Sequence, residues 1–250
     1  MRSLPDPVRL PGDFPATEVL DSAGASEGVL LSAEVSENLR RLAARHGATL
    51  SNAVLTVFFI FLNRLTEQQD LALAMSVANR PHRDLETMAG FFVNAVVLRQ
   101  WVDEGKSFES LLDDVTREVA AALEHQQYPL DLLIEKLNPP RRGSRQALFN
   151  VVYAFQGFTD IAVRAPAGGS GSGLEIAREL APASHTAKFD LTLFVVDHAG
   201  PDQDSIWLSF EYSTGLLRAA TARQWIETLA RFCRAAAMQE EEALQEEQCE

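Results

Sequence analysis

The side chains in this sequence that could do chemistry are scattered along the chain. His198 and Asp202 have a spacing that could pair an imidazole with a carboxylate, but Ala199-Gly200-Pro201 between them is turn chemistry and reads as a loop. His125 falls where a helix is expected to stop, ahead of Pro129, and a cation there would meet the negative end of the helix dipole. Asn94 lies inside a valine-rich stretch, where its amide could satisfy buried backbone groups. Gly90, next to two phenylalanines, would permit close backbone approach where a strand begins. Arg145 beside Ser144 could anchor a loop by charge-assisted hydrogen bonds or meet a phosphate. No Gly-x-Ser-x-Gly elbow, phosphate-cradling glycine loop or clustered ligand set accompanies these residues, so no catalytic residue and no metal site is assigned. The two cysteines, Cys233 and Cys249, match neither a disulfide framework nor a zinc site; Cys233 reads as core and Cys249 as an exposed tail thiol.

The elements that must position these groups follow from caps and periodicity. The first residues, to about Glu27, carry Pro5, Pro7, Pro11 and Pro15 and little apolar repeat, so they read as an extended strap. Ser32 can cap a helix whose apolar face is Val35, Leu39 and Leu42, with Gly47 as its stop. A second helix, from about Leu50 to Leu65, is apolar nearly all round and must be central. Strands are expected at Leu71 to Ala78 and Phe92 to Arg99, with the loop from Asn79 to Asp84 after the first. An amphipathic helix follows from Ser107 to about Gln126, then a short one after Pro129 and a strand from Leu148 to Gln156. Ala165 to Gly173 is glycine- and serine-rich and reads as a mobile loop. Further strands are expected at Leu174 to Leu180, Lys188 to Val196 and Ser205 to Tyr212, before a helix from Ala219 to Ala237. This order predicts an α/β fold, a mixed sheet with helices packed on it.

Bulk properties narrow the partners. A formal charge of −13 argues against a nucleic-acid surface or an anionic membrane surface, both of which need basic patches. Glutamates gather from Glu240 to Glu250, either a solvated helix end or a docking tail. The longest apolar run, Ala53 to Leu62, is far shorter than the roughly 18 residues of a membrane span. With no secretory or transit pattern at the start, a cytoplasmic location is the expectation.

Three stretches stand in an order that resembles the later core motifs of nonribosomal peptide synthetase condensation domains. Ala89-Gly90-Phe91-Phe92-Val93-Asn94-Ala95-Val96-Val97-Leu98-Arg99 is similar to that family's Gly-x-Phe-Val-Asn signature with its trailing arginine. His125-Gln126-Gln127-Tyr128-Pro129-Leu130-Asp131 resembles His-Gln-Asp-Tyr-Pro-Phe-Glu, and Arg141-Arg142-Gly143-Ser144-Arg145-Gln146-Ala147-Leu148 resembles Arg-Asp-x-Ser-Arg-Asn-Pro-Leu. Ser76-Val77-Ala78-Asn79-Arg80-Pro81 and Lys188-Phe189-Asp190-Leu191-Thr192-Leu193 also fit, so the resemblance runs from about Leu4 to Ala236. The chain departs from the pattern at Gln127, Leu130 and Asp131, and again at Arg142, Gln146 and Ala147.

What the resemblance implies is half of an enzyme. The family's domain is a V of two chloramphenicol-acetyltransferase-like lobes, and its His-His-x-x-x-Asp-Gly motif belongs to the N-terminal half. No His-His pair occurs here, and His198-x-x-x-Asp202 lacks both the preceding histidine and the following glycine. By resemblance, residues 1–28 are an interlobe linker, 29–237 the C-terminal lobe lining the acceptor side of a tunnel, and 238–250 an acidic tail. Asn79 to Gly90 would floor that tunnel and Gly168 to Lys188 would cross toward the partner lobe, placing Ser184 near the tunnel or in a plain turn. Asn79, Gly90, Asn94, Arg99, His125, Pro129, Ser144, Arg145 and Ser184 are therefore candidates for tunnel or motif-supporting roles. The implied partners are an N-terminal lobe and a peptidyl carrier protein, with substrates on phosphopantetheine arms and no bound cofactor. The implied setting is nonribosomal, antibiotic-type biosynthesis, and the rival class is a non-catalytic module that recruits carrier proteins or tailoring enzymes.

Overall fold

The computed structural model describes residues 6–15, 22–103, 105–139, 148–157, 185–198 and 205–247, with side chains to Met238. Local signals account for the first helices. In α1 (Ala33–Arg45) the Ser32 side chain accepts from the Val35 amide, and in α2 (Leu50–Thr66) Thr49 does the same for Asn52. Gly47, at φ 61°, turns the chain between them in a conformation that costs glycine little. Strands β1 (Gly24–Leu30), β2 (Asp70–Val77), β3 (Asn94–Trp101), β4 (Val151–Gly157), β5 (Leu191–His198) and β6 (Ser205–Ser213) form one sheet in the order β1-β6-β5-β4-β2-β3. The sheet is mixed: β4 lies parallel to β2 on one side and to β5 on the other, and the remaining pairs are antiparallel.

Alternation sorts the strand side chains to two faces. Leu71, Leu73, Tyr153, Leu193, Leu208 and Phe210 enter the main core with α1, α2, α4 (Phe108–Leu123) and the start of α6 (Ala219–Glu247). Helix α2 is buried on nearly every side, and its Phe58 and Phe61 rings lie 6.1 Å and 5.9 Å from that of Phe210. The opposite face holds a smaller cluster, Ala74, Leu148, Phe149 and Val152, covered by α5 (Leu130–Leu137). A four-residue helix, α3 (Arg83–Glu86), sits in the β2–β3 connection.

Several features differ from the sequence reading, among them the starts of β4 and β5, at Val151 and Leu191 where Leu148 and Lys188 were expected. The proline-rich strap contributes to the core: its Val8 is buried, and its end forms β1, which pairs along its whole length with β6. Two glycines hid that strand, and Gly28 is needed because a Cβ there would strike the Trp207 ring. β3 begins at Asn94, two residues later than the apolar run suggests, because Phe92 and Val93 belong to the preceding loop. Helix α6 runs past the expected end at Ala237 to Glu247, so the glutamate-rich segment is helical that far, as one of its two readings had it. The expected strand at Leu174 to Leu180 and the loop from Ala165 to Gly173 lie outside the described residues. Among the described residues no single helix is long and apolar enough to cross a membrane; α1 and α2 meet that test only as a pair bent by 102°.

Candidate functional site

The β2–β3 hairpin carries four of the candidate residues, Asn79, Gly90, Asn94 and Arg99, and it separates them into two groups. At the end where β2 stops, Asn79 takes φ 51°, the left-handed region in which asparagine is tolerated, and turns the chain away from the sheet. Its Oδ1 is buried and has no partner among the described residues. Arg80, which follows, donates from Nη1 to the carbonyls of Leu85 and Met88, the latter at 2.9 Å. Its guanidinium carbon also lies 4.3 Å over the Phe92 ring. Gly90 leaves room for that ring, since a Cβ would approach it to 2.9 Å.

Asn94 opens β3 opposite Val77 and donates from Nδ2 to the carbonyls of Gln126 at 2.7 Å and Tyr128 at 3.0 Å. Those carbonyls are available because α4 ends in tight turns, with the His125 amide reaching Ala122 at 3.0 Å and that of Gln126 reaching Leu123 at 3.2 Å. One side chain thereby ties the first motif to the second. His125 is exposed in that turn and its carbonyl accepts from the Tyr128 amide at 2.9 Å; Pro129, also exposed, stands at the N-cap position of α5 without a side-chain hydrogen bond.

Arg99 is not part of this group. Five residues along β3 from Asn94, about 17 Å at strand rise, it makes a two-pronged contact with Asp70 at 2.8 Å and 2.7 Å. That contact raises the guanidinium pKa. Ser144, Arg145, Ser184 and the residues following His198 lie outside the described residues.

Beside Ala78 a cleft of about 450 Å³ opens between the start of α2, the end of β2, α4 and Phe155. Met75, Val77, Val119 and Leu123 supply apolar walls, and Ser51, Ser76 and Gln126 are among its polar lining. No charged side chain or histidine lines it among the described residues. Such a cleft can hold and orient a neutral group but offers no acid or base. Burial raises the pKa of the Tyr153 phenol, whose hydroxyl donates to the carbonyl of Ser51, a lining residue, at 2.9 Å. Burial likewise pushes the Cys233 thiol up to about 12, which leaves it an inert core group. No cluster of His, Cys, Asp or Glu among the described residues could hold a metal ion.

Sequence reasoning located Arg80 only as part of a motif. The available signal was an arginine followed by two phenylalanines across a short polar loop, but sequence does not say which ring an arginine covers. The exposed apolar side chains of this end were also missed: Phe91 is 92% exposed, and Met88, Val93 and Tyr128 stand about half exposed near it.

The family profile described as Condensation domain matches residues 2–249. Bacitracin synthase 1 of Bacillus licheniformis is 31% identical over 231 residues, 92% of this chain but 4% of that protein. Phosphinothricin tripeptide synthetase PhsC of Streptomyces viridochromogenes is 34% identical over 242 residues, 95% of this chain and 21% of its own length. The chain thus spans a small part of these relatives. Among solved structures, the X-domain from teicoplanin biosynthesis superposes with a TM-score of 0.80 at 21% identity, covering 94% of this chain and 52% of that one.

Proposed function

The chain belongs to the condensation-domain family, and we propose that it supplies the C-terminal, acceptor-side lobe of such a domain in a nonribosomal peptide synthetase. Its α/β sheet with helices packed on it is the chloramphenicol-acetyltransferase-like fold of that family. The observation that carries the lobe reading is one of proportion: 94% of this chain matches only 52% of the X-domain. Apolar residues left bare at one end of the hairpin, Phe91 foremost, add the kind of surface a partner should cover.

Amide formation here would join the amine of one carrier-bound group to the thioester carbonyl of another, releasing the donor carrier's thiol. The reaction needs the two groups held together and a group to take the amine proton. The neutral cleft beside Ala78 suits the first task, holding an uncharged portion of a phosphopantetheine-borne substrate. Nothing that lines it suits the second, and the sequence contains no His-His-x-x-x-Asp-Gly. The proton acceptor would come from an N-terminal lobe, with a peptidyl carrier protein presenting the acceptor, in a cytoplasmic assembly.

The test is product formation from a loaded donor carrier and an aminoacyl acceptor carrier, with and without the matching N-terminal lobe. No turnover is expected from this chain alone, and a rate that rises with added lobe is expected when both are present. Because interdomain contacts of this type are moderate in area, fusing the two should raise the rate further through effective concentration. Phe91→Ser should raise the acceptor-carrier KM by about tenfold and leave the urea midpoint of the chain alone unchanged. A flat response with both proteins folded would leave a non-catalytic recruiting module as the better account, and turnover by this chain alone would also overturn the reading.

A further inference from the structure

The connection between β2 and β3 is organised around one side chain. After Asn79 turns the chain, the Arg80 guanidinium reaches across the loop it begins. On one side Nη1 meets the carbonyls of Leu85 and Met88, at the end of α3; on the other the guanidinium plane covers the Phe92 ring at 4.3 Å. Little else supports the segment: α3 has no side-chain cap, none of its residues is buried, and a four-residue helix is too short to persist on its own. Backbone bonds inside it run from the Leu85 amide to the His82 carbonyl at 2.9 Å and from the Met88 amide to the Leu85 carbonyl at 3.2 Å. Both involve residues whose carbonyls or neighbours Arg80 holds. Phe91 sits between the arginine-covered Phe92 and Gly90, so its outward position follows from how Phe92 is seated.

We infer that Arg80 is the positioning residue of the 81–92 loop, setting the place of Phe91 and Met88 at the mouth of the acceptor side. The inference rests on the lobe reading for its functional half and on the contacts above for its structural half. A planar guanidinium can meet two carbonyls and a ring face at once; an ammonium has no plane to stack and no fixed fork. Arg80 is not among the residues that line the cleft, so its effect should appear in how well the acceptor is held.

Two measurements test this, on the unaltered chain, Arg80→Ala and Arg80→Lys. The first is amide hydrogen exchange on the full chain alone. In Arg80→Ala the Leu85 and Met88 amides should exchange on the order of tenfold faster or more, with α2 amides unchanged, and Arg80→Lys should recover only part of that loss. The second is condensation kinetics with the N-terminal lobe present, in which Arg80→Ala should raise the acceptor-carrier KM about tenfold and change kcat by less than about twofold. Unchanged exchange at Leu85 and Met88 would overturn the inference, as would equal acceleration in α2, full recovery by lysine, or a fall in kcat at constant KM. Absence of product from the unaltered chain with its lobe would instead remove the lobe reading, and the exchange comparison would still decide what Arg80 does to the loop.

Discussion

The two ends of the β2–β3 hairpin are built by opposite means. At the end where β2 begins, polar side chains join several segments. Asn63 donates to the Gln68 carbonyl at 3.0 Å, the Gln68 side chain accepts from the Arg9 amide of the strap at 2.6 Å, and Arg99 grips Asp70. The open cleft of about 700 Å³ there is lined by Asp6, Arg9, Arg64, Glu67 and Asp70 along with Trp101. At the other end the cleft is neutral, apolar side chains such as Phe91 stand exposed among polar ones such as Arg83 and Glu86, and two residues, Arg80 and Asn94, shape the backbone by bonding to carbonyls. One end closes the fold on itself. The other holds apolar groups outward at a cost that makes sense if something covers them. The difference teaches that the end proposed to be functional is marked less by reactive side chains than by backbone held in place beneath exposed apolar groups.

Removing Asn94 should have the largest effect on stability. Asn94→Ala leaves two carbonyls of the α4–α5 turn without their donor and should destabilise the chain by about 2 kcal/mol, read as a drop in urea midpoint at constant m-value. Asn94→Asp, equal in shape but with no N–H to give, should be no better. If it matches the unaltered chain, the two bonds contribute nothing and the contrast between the ends fails.

At the opposite end a smaller loss is expected. Arg99 and Asp70 keep 27% and 30% of their side-chain surface in water, so solvent screens their attraction. Arg99→Ala should cost about 1 kcal/mol or less, and the difference from the unaltered chain should shrink in high salt. A loss equal to that of Asn94→Ala would show that this end matters as much to the fold as the other.

The smallest effect concerns the strap, which continues from the polar end to the start of α6. The Asp13 carboxylate accepts from the Arg218 amide at 2.8 Å and the Thr221 hydroxyl at 3.0 Å, and those bonds, the amide first, hold its pKa below the ordinary value. A lowered folded-state pKa means that the contact stabilises the fold above the unfolded aspartate value of about 3.9 and is lost as pH falls through the folded one. The Arg218 amide resonance should therefore move on acidification with a midpoint below about 3.9. A midpoint at or above that value would show that the strap is not held through Asp13.

Much of this architecture is legible in sequence because its causes are local. Ser32, Thr49 and Ser107 each sit three residues before the amide they accept from, and the apolar repeat of α1 and α4 needs only the helical period to be read. Family membership was readable for a related reason: the motif order survives in the chain itself. Local reading was less able to see β1, where glycines erased the alternation, or the start of β3, where two apolar residues were taken by a loop.

What tertiary structure alone decided is who meets whom. Gly24 pairs with Ser213, Asn94 finds carbonyls 32 and 34 residues away, and Arg80 covers Phe92 while adjacent Phe91 stays bare. Residue type sets that an amide must donate, that a guanidinium seeks carbonyls and a ring, and that a strand must pair. It leaves open which of many chemically equal partners is chosen, because that choice depends on distances fixed only when the sheet and its helices pack together.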